Sequence, residues 1–129
     1  RIERAHIVII LDESLFESVD IGAGLREGGI LIVNSGKPPH RFLPARGDSI
    51  QRASVDAVSI AGEYRLAVGG APVVNTPLLG SLARVWKGIE LASIERGMGF
   101  KMHPPAAHNN FQAALRAYEK TILGGNGHE

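Results

Sequence analysis

His6-Ile7-Val8-Ile9-Ile10-Leu11 is an apolar run behind a single histidine, and Asp12 ends it. Polar and apolar residues do not alternate here, which is typical of a strand buried on both faces of a parallel sheet. Such a strand needs a neighbouring strand on each side. We therefore expect a middle strand, and we expect the strands that precede it to be missing from this chain or supplied elsewhere.

Apolar runs and helical patterns alternate along the rest of the chain. Further strands are predicted at residues 30–33 and 50–55. Apolar residues recur at helical spacing in segments that we predict as helices, namely residues 13–19, 57–65, 76–85, 91–96 and 106–122. Prolines place residues 37–48 in a surface loop. This alternation predicts an α/β fold with a Rossmann-like, open, mostly parallel sheet flanked by helices.

Composition limits the classes of function. The chain has 129 residues, 44% of them apolar, so we predict one domain over residues 1–123 and a flexible tail over 124–129. A formal net charge of +1 gives no reason to expect nucleic acid or an anionic membrane as a partner. The apolar runs are far shorter than the roughly 20 residues that span a bilayer. No signal peptide pattern is present, so a cytoplasmic location is expected.

Motifs for self-sufficient catalysis are absent from the sequence. Without cysteine, the chain has no thiolates for an iron–sulfur cluster, and any cluster must lie on a partner. Pro104-Pro105 separates His103 from His108, so the two histidines do not form a helical metal-binding pair. Gly22-Ala23-Gly24 lacks the third glycine of a dinucleotide fingerprint. We therefore predict no catalytic residue, no metal site and no cofactor bound by this chain alone.

Polar residues follow each predicted strand, at the edge where open α/β sheets bind ligands. Asp12 and Asp56 precede predicted helices, so we interpret both as helix caps. For Asn34, Ser35 and Lys37 two interpretations stay open. These residues form a turn, or they form a small polar loop whose lysine accepts a phosphate-bearing ligand.

The start of the helix at residue 76 also allows two interpretations. Asn75 is predicted to cap this helix, with Pro77 in its first turn. The backbone amides at Asn75 and Thr76 could instead receive an anion, because a helix amino terminus carries partial positive charge. Gly80, Ser81 and Ala83 give the helix a face of small residues that allows a neighbouring element to approach closely, and such a face is also suited to docking a partner.

In order and spacing, successive blocks of the chain resemble the gamma subunits, or gamma-type domains, of coenzyme A-acylating 2-oxoacid:ferredoxin oxidoreductases. The blocks are residues 7–12, 25–35, 55–61, 74–82 and 109–119. The chain departs from the family at its front, where the family carries a glycine-rich strand-to-helix turn and two further elements. The resemblance therefore implies an N-terminally incomplete gamma-type domain.

The resemblance implies a multi-subunit enzyme that oxidatively decarboxylates a 2-oxoacid, such as pyruvate, and transfers the acyl group to coenzyme A. Thiamine diphosphate and 4Fe-4S clusters would belong to the alpha, beta and ferredoxin-like delta subunits, which pass electrons to ferredoxin or a nicotinamide acceptor. The gamma part would be an accessory subunit that packs against them and helps to hold coenzyme A. On that expectation, coenzyme A lies nearest to Asn34, Ser35, Lys37, Asn75 and Thr76.

Two other hypotheses come from different classes of protein. A fragment of a nicotinamide-dependent Rossmann dehydrogenase also has a strand that ends in aspartate. It needs an upstream glycine fingerprint and a downstream catalytic histidine or lysine, and neither is visible. The other hypothesis is a stand-alone scaffold domain. Co-purification separates it from the gamma hypothesis, because a gamma subunit brings iron–sulfur and thiamine partners with it.

Overall fold

The computed structural model describes residues 4–42 and 50–125, and its elements are numbered in chain order. The strands are β1 (Ala5–Ile10), β2 (Leu25–Asn34), β3 (Gln51–Val55), β4 (Ala67–Val68), β5 (Ala71–Pro72) and β6 (Ile122–Gly125). The helices are α1 (Ala57–Glu63), α2 (Asn75–Val85), α3 (Leu91–Lys101) and α4 (Pro104–Lys120), with short 3₁₀ turns at Glu13–Glu17, Gly22–Gly24 and Pro39–Arg41. These residues group into two compact units: the sheet unit, up to Val55 and again from Ile122, and the helical unit, Asp56–Thr121.

The sheet unit is built on the apolar runs of the first third of the chain. Its strand order is β1-β2-β3-β6, in which β1, β2 and β3 are parallel and β6 is antiparallel to β3. Ile9 is aligned with Ile32 of β2, and Ile32 with Ala53 of β3. The predicted α/β class with an open, mostly parallel sheet is confirmed. That residues 1–123 form a single domain stays a prediction.

Strand β1 is an edge strand among the described residues, and the neighbouring strand expected on its other side, missing from this chain or supplied elsewhere, stays a prediction. β1 pairs with β2 on one side only, which leaves Ile9 37% exposed and Leu11, just beyond the strand, more exposed still. The apolar run correctly indicated a strand.

Strand β6 was not predicted from the sequence. Helix α4 ends at Lys120, and Ile122–Gly125 then pairs with β3 in the antiparallel register Ser54↔Ile122 to Gln51↔Gly125. The tail predicted over residues 124–129 is therefore wrong at its first two residues, and residues 126–129 lie outside the described residues. β6 holds two apolar residues followed by two glycines, which is too short a stretch for strand periodicity to be recognised.

The first half of β2 shows why Gly28-Gly29 is required. The register between β1 and β2 shifts between Ala5 and Ile7, and Gly28 takes a left-handed φ of +79° at this bulge. A Cβ on Gly29 would lie 2.9 Å from the carbonyl oxygen of His6. Strand β2 therefore begins at Leu25, before the glycines, whereas the sequence placed its start after them.

Arg52 is a buried cation in the sheet unit. Its Nε donates to the carbonyl oxygen of Phe42 at 2.9 Å, and its Nη1 donates to that of Ile50 at 3.4 Å. The two acceptors stand on either side of residues 43–49 in the chain. Of the predicted loop over residues 37–48, the described part contains the turn Pro39–Arg41, and Phe42 stacks on Phe16 with ring centroids 5.0 Å apart.

In the helical unit, α2 and α4 pack through small residues. A Cβ on Gly80 would lie 1.9 Å from the carbonyl oxygen of Ala114, so only glycine fits between the two backbones. Beside it, Ser81 Oγ donates to Thr121 Oγ1 at 2.8 Å, since the Thr121 hydroxyl proton goes to the carbonyl oxygen of Ala117, and both side chains are buried. The prediction that this face allows close approach of a neighbouring element is confirmed, and at Gly80 and Ser81 that element is the chain's own α4.

Helices α1 and α3 complete the helical unit. Asp56 accepts from the backbone N–H of Ser59 at 3.0 Å and from its hydroxyl at 2.8 Å, so the predicted cap of α1 is confirmed. Helix α3 runs to Lys101 instead of ending near residue 96, because Ile94 and Met98 both pack in the core with α4. None of the described helices is both long and apolar enough to span a bilayer.

Candidate functional site

The carboxyl ends of β1 and β2 bring four polar residues to one edge of the sheet unit. Three of them are site residues predicted from the sequence, and the fourth is not. β1 and β2 are parallel with Ile10 aligned to Val33, so the residues that follow each strand meet. Asn34 Nδ2 donates to the carbonyl oxygen of Leu11 at 3.0 Å and ties the two strand ends together. We call Glu13, Asn34, Ser35 and Lys37 the strand-end cluster.

Asp12 does not belong to this cluster in its hydrogen bonding. Its carboxylate accepts from the backbone N–H of Ser14 at 2.9 Å and caps the 3₁₀ turn Glu13–Glu17. That backbone hydrogen bond, followed by the one from the Ser14 hydroxyl, lowers the pKa of Asp12 below 3.8. The interpretation of Asp12 as a cap is therefore confirmed. The amphipathic helix predicted over residues 13–19 is the shorter 3₁₀ turn.

The main electrostatic feature of the cluster is an ion pair. Lys37 Nζ lies 2.6 Å from Glu13 Oε1, with the lysine side chain 55% and the glutamate side chain 34% exposed. The hydrogen bond from Lys37, and then that from the Ser35 hydroxyl, lowers the pKa of Glu13 below 4.5. Glu13 is therefore a carboxylate at neutral pH. It interacts with the Lys37 ammonium and the Ser35 hydroxyl, two of the groups that the sequence predicts as contacts of a phosphate.

Sequence reasoning did not assign Glu13 to the site, although the signal was present. Glu13 is the third residue after β1, and Lys37 is the third residue after its parallel neighbour β2. Because adjacent parallel strands end at the same edge, opposite charges placed in this way are brought together. The pairing could have been inferred from the two strands that the sequence did predict.

The backbone of the cluster is fixed from both sides. Ser35 Oγ accepts from the N–H of Lys37 at 3.0 Å, and the N–H of Ser35 donates to the carbonyl oxygen of Val55 at 3.0 Å. Ser54 Oγ donates to the carbonyl oxygen of Lys37 at 2.7 Å. Ser35 and Ser54 are buried, so these bonds are sheltered from water. The backbone of residues 35–37 is therefore anchored. Only the outer parts of the Lys37 and Glu13 side chains are free to move.

The other two predicted site residues lie at the start of α2, in the helical unit. Asn75 is the first helical residue and not the cap, so the predicted cap is wrong. Val74 already has helical backbone angles, and Leu78 N–H donates to its carbonyl oxygen at 3.0 Å. In the described part of the chain, the Val74 side chain makes no capping hydrogen bond to this helix. Thr76 Oγ1 donates to Asn110 Oδ1 of α4 at 3.1 Å, so its hydroxyl is engaged.

The structure therefore brings together three of the five predicted ligand residues. Asn34, Ser35 and Lys37 meet at one sheet edge, joined by Glu13, whereas Asn75 and Thr76 belong to the helical unit. In the described ranges, 4–42 and 50–125, no group of three or more histidine, cysteine or acidic residues has the arrangement of a metal site. The cluster presents one ammonium, one hydroxyl and one side-chain amide beside the carboxylate of Glu13.

A sequence model of one protein family covers nearly all of the chain. The family is described as pyruvate ferredoxin/flavodoxin oxidoreductase, and its model matches residues 1–120. The chain belongs to this family. The predicted resemblance is confirmed, since similar proteins carry the names of its gamma subunits.

Similar proteins come from archaea and bacteria. The pyruvate/ketoisovalerate oxidoreductases common subunit gamma of Thermococcus litoralis is 35% identical over 118 residues, which cover 91% of this chain and 62% of that protein. Pyruvate synthase subunit PorC of Methanothermobacter thermautotrophicus is 29% identical over 113 residues, covering 88% of this chain and 57% of that protein.

A solved structure supports the fold independently. The crystal structure of pyruvate oxidoreductase subunit PORC from Thermotoga maritima matches with a TM-score of 0.78 and 32% identity. The match covers 95% of this chain and 67% of that one. The chain spans less than two-thirds of the length of the curated relatives named above.

Proposed function

We propose that this chain is the gamma-type part of a multi-subunit 2-oxoacid oxidoreductase, which oxidatively decarboxylates a 2-oxoacid and forms an acyl-coenzyme A. The observation that carries the proposal is the 35% identity over 91% of the chain to a protein named as a gamma subunit. The relatives' names favour this function over a nicotinamide-dependent dehydrogenase fragment. Nothing in the described residues favours the stand-alone scaffold.

The proposed partners are the alpha, beta and ferredoxin-like delta subunits of the same enzyme. They hold thiamine diphosphate and the 4Fe-4S clusters, and they pass electrons to ferredoxin or a nicotinamide acceptor. Purification through a tag on this chain from its native cell tests the proposal. We expect the purified material to contain iron, acid-labile sulfide and thiamine diphosphate. We also expect it to catalyse the coenzyme A-dependent oxidation of a 2-oxoacid. A chain that purifies with none of them contradicts it.

Within that enzyme, we propose that the strand-end cluster contacts a phosphate group of coenzyme A. Lys37 supplies the positive charge, and Ser35 and Asn34 supply neutral polar groups on an anchored turn. The cluster stands at the carboxyl end of parallel strands, where open α/β sheets bind their ligands. A partly exposed ammonium favours an anion by about 0.5–1 kcal/mol, which corresponds to a change of roughly two- to fivefold in affinity.

Steady-state kinetics of the purified complex test the contact. Lys37→Ala is expected to raise the KM for coenzyme A about two- to fivefold and to leave the KM for the 2-oxoacid unchanged. Lys101→Ala, which removes an exposed lysine at the end of α3, is the charge-matched control and is expected to change neither constant. Equal KM values for coenzyme A in the wild type and Lys37→Ala would sink the proposed contact.

Asn75 and Thr76 are proposed as a separate anion contact in the helical unit, through the first backbone amides of α2. Thr76 is the weaker candidate for a side-chain contact, because its hydroxyl already donates to Asn110. Asn75 is exposed and is the residue to test. Asn75→Asp keeps the size of the side chain and places a negative charge at the first backbone amides of α2, so it is expected to raise the KM for coenzyme A while the helix persists. An unchanged KM argues against this contact.

A further inference from the structure

The strand-end cluster already holds an anion, which is the carboxylate of Glu13. The ammonium of Lys37 lies 2.6 Å from Glu13 Oε1. The hydroxyl of the buried Ser35 lowers the pKa of the same carboxylate. A phosphate that approached Lys37 from the same side would meet the Glu13 carboxylate, and the two negative charges would repel each other.

We propose that Glu13 is an internal competitor of the phosphate ligand: its carboxylate occupies the anion position at Ser35 and Lys37 and leaves when the ligand binds. The inference rests on the proposed coenzyme A contact and adds a residue that sets the affinity of that contact. It predicts two arrangements of the Glu13 side chain, one paired with Lys37 in the free protein and one turned to solvent in the liganded protein.

Two features of the site allow this exchange. Glu13 opens a 3₁₀ turn whose cap, Asp12, is hydrogen-bonded to Ser14, so the turn does not depend on the Glu13 side chain. The Lys37 backbone is held by Ser35 and Ser54, so the lysine stays in place when Glu13 leaves. Both charged side chains are partly exposed, which makes separating them inexpensive.

The direction of the effect distinguishes competition from support. If Glu13 competes, Glu13→Gln removes the negative charge that faces the phosphate and frees the ammonium, so ligand binding becomes tighter. If Glu13 instead holds Lys37 in its productive position, the same change weakens ligand binding. Because the ion pair is exposed, we expect the affinity for the ligand to change about two- to fivefold in either direction.

The test is the KM for coenzyme A of the whole purified complex with Glu13→Gln. We expect a KM about two- to fivefold lower, with kcat and the KM for the 2-oxoacid unchanged. Glu17→Gln makes the same change of charge in the same 3₁₀ turn and is the matched control, expected to leave all three constants unchanged. Glu13→Ala must shift the KM for coenzyme A in the same direction as Glu13→Gln.

A double substitution completes the experiment. In a Lys37→Ala background, Glu13→Gln is expected to lower the KM for coenzyme A by less than it does in the wild type, because no ammonium remains to be freed. If Lys37→Ala raises this KM but Glu13→Gln leaves it unchanged or raises it, the competition is wrong and the coenzyme A contact stands. If Lys37→Ala leaves the KM unchanged, the contact itself fails and the competition fails with it.

Discussion

The strand-end cluster and the α2–α4 interface are held together in opposite ways. At the cluster, polar side chains are partly exposed, and the Glu13–Lys37 pair can separate at small cost. At the interface, Gly80 lies against the backbone of Ala114 with no room for one more carbon. The site proposed for a ligand is therefore adjustable, whereas the helical packing tolerates almost no change. Substitutions should therefore affect ligand affinity at one region and stability at the other.

The largest effect is expected at Gly80. Gly80→Ala places a Cβ 1.9 Å from the carbonyl oxygen of Ala114, so α2 and α4 must move apart along their contact. We expect the free energy of unfolding to fall by about 3 kcal/mol or more. Trp86, the only tryptophan of the chain, follows α2, so its fluorescence in a urea titration reports on this unit. A loss below roughly 1 kcal/mol would show that the two helices are packed less tightly than described.

The next effect is expected at Arg52, inside the sheet unit. Arg52→Met keeps an unbranched apolar side chain but removes the donors to the carbonyl oxygens of Phe42 and Ile50. Loss of buried, charge-assisted hydrogen bonds is expected to lower the free energy of unfolding by about 2 kcal/mol. Urea unfolding followed by circular dichroism measures it. Arg41→Met, at an exposed arginine, is the control and should remain within about 0.5 kcal/mol of the wild type.

The sequence predicted those parts of the structure that depend on local patterns of residues. The apolar runs at residues 7–11 and 30–33 indicated β1 and β2, and Asp12 and Asp56 were identified as caps because each precedes a helical pattern. Local pattern did not reveal β6. That strand exists only through its pairing with β3, about 70 residues earlier in the chain.

The residues of the candidate site also differ in whether local sequence pattern predicts them. Asn34, Ser35 and Lys37 are neighbours in sequence, and their place at the end of β2 could be predicted. Glu13 is a partner from another strand, so the ion pair needed a step of tertiary reasoning that parallel pairing would have supplied. Asn75 is misassigned because a cap lies just outside the helical backbone, and the sequence does not specify that the helix already begins at Asn75.

A smaller effect of opposite sign is expected at Gly97 in α3. A Cβ there would meet no described atom within 4 Å, in contrast to Gly80. Gly97→Ala should raise the free energy of unfolding by about 0.5–1 kcal/mol, because alanine reduces the backbone entropy of the unfolded chain. The same fluorescence titration measures it. A loss of stability would mean that the surroundings of α3 are more crowded than the described residues show.

The smallest effect is expected from the Glu13–Lys37 pair, and its dependence on pH is the more informative quantity. The hydrogen bond from Lys37, and then that from Ser35, lowers the pKa of Glu13 below its ordinary value of 4.5. A carboxyl group whose pKa is lower in the folded protein stabilises the fold above the unfolded-state pKa. That contribution is lost as the pH falls from about 4.5 through the folded-state pKa.

Glu13→Gln should therefore lower the urea midpoint slightly at pH 7, and the difference from the wild type should shrink as the pH falls below about 4.5. Glu17→Gln removes a carboxylate from the same 3₁₀ turn and controls for the change in net charge. Added salt should reduce the difference at pH 7, because both side chains are partly exposed. A difference that grows as the pH falls would contradict the ion pair. A small difference together with a lower KM for coenzyme A is the pattern expected of a carboxylate that gives up its place to a ligand.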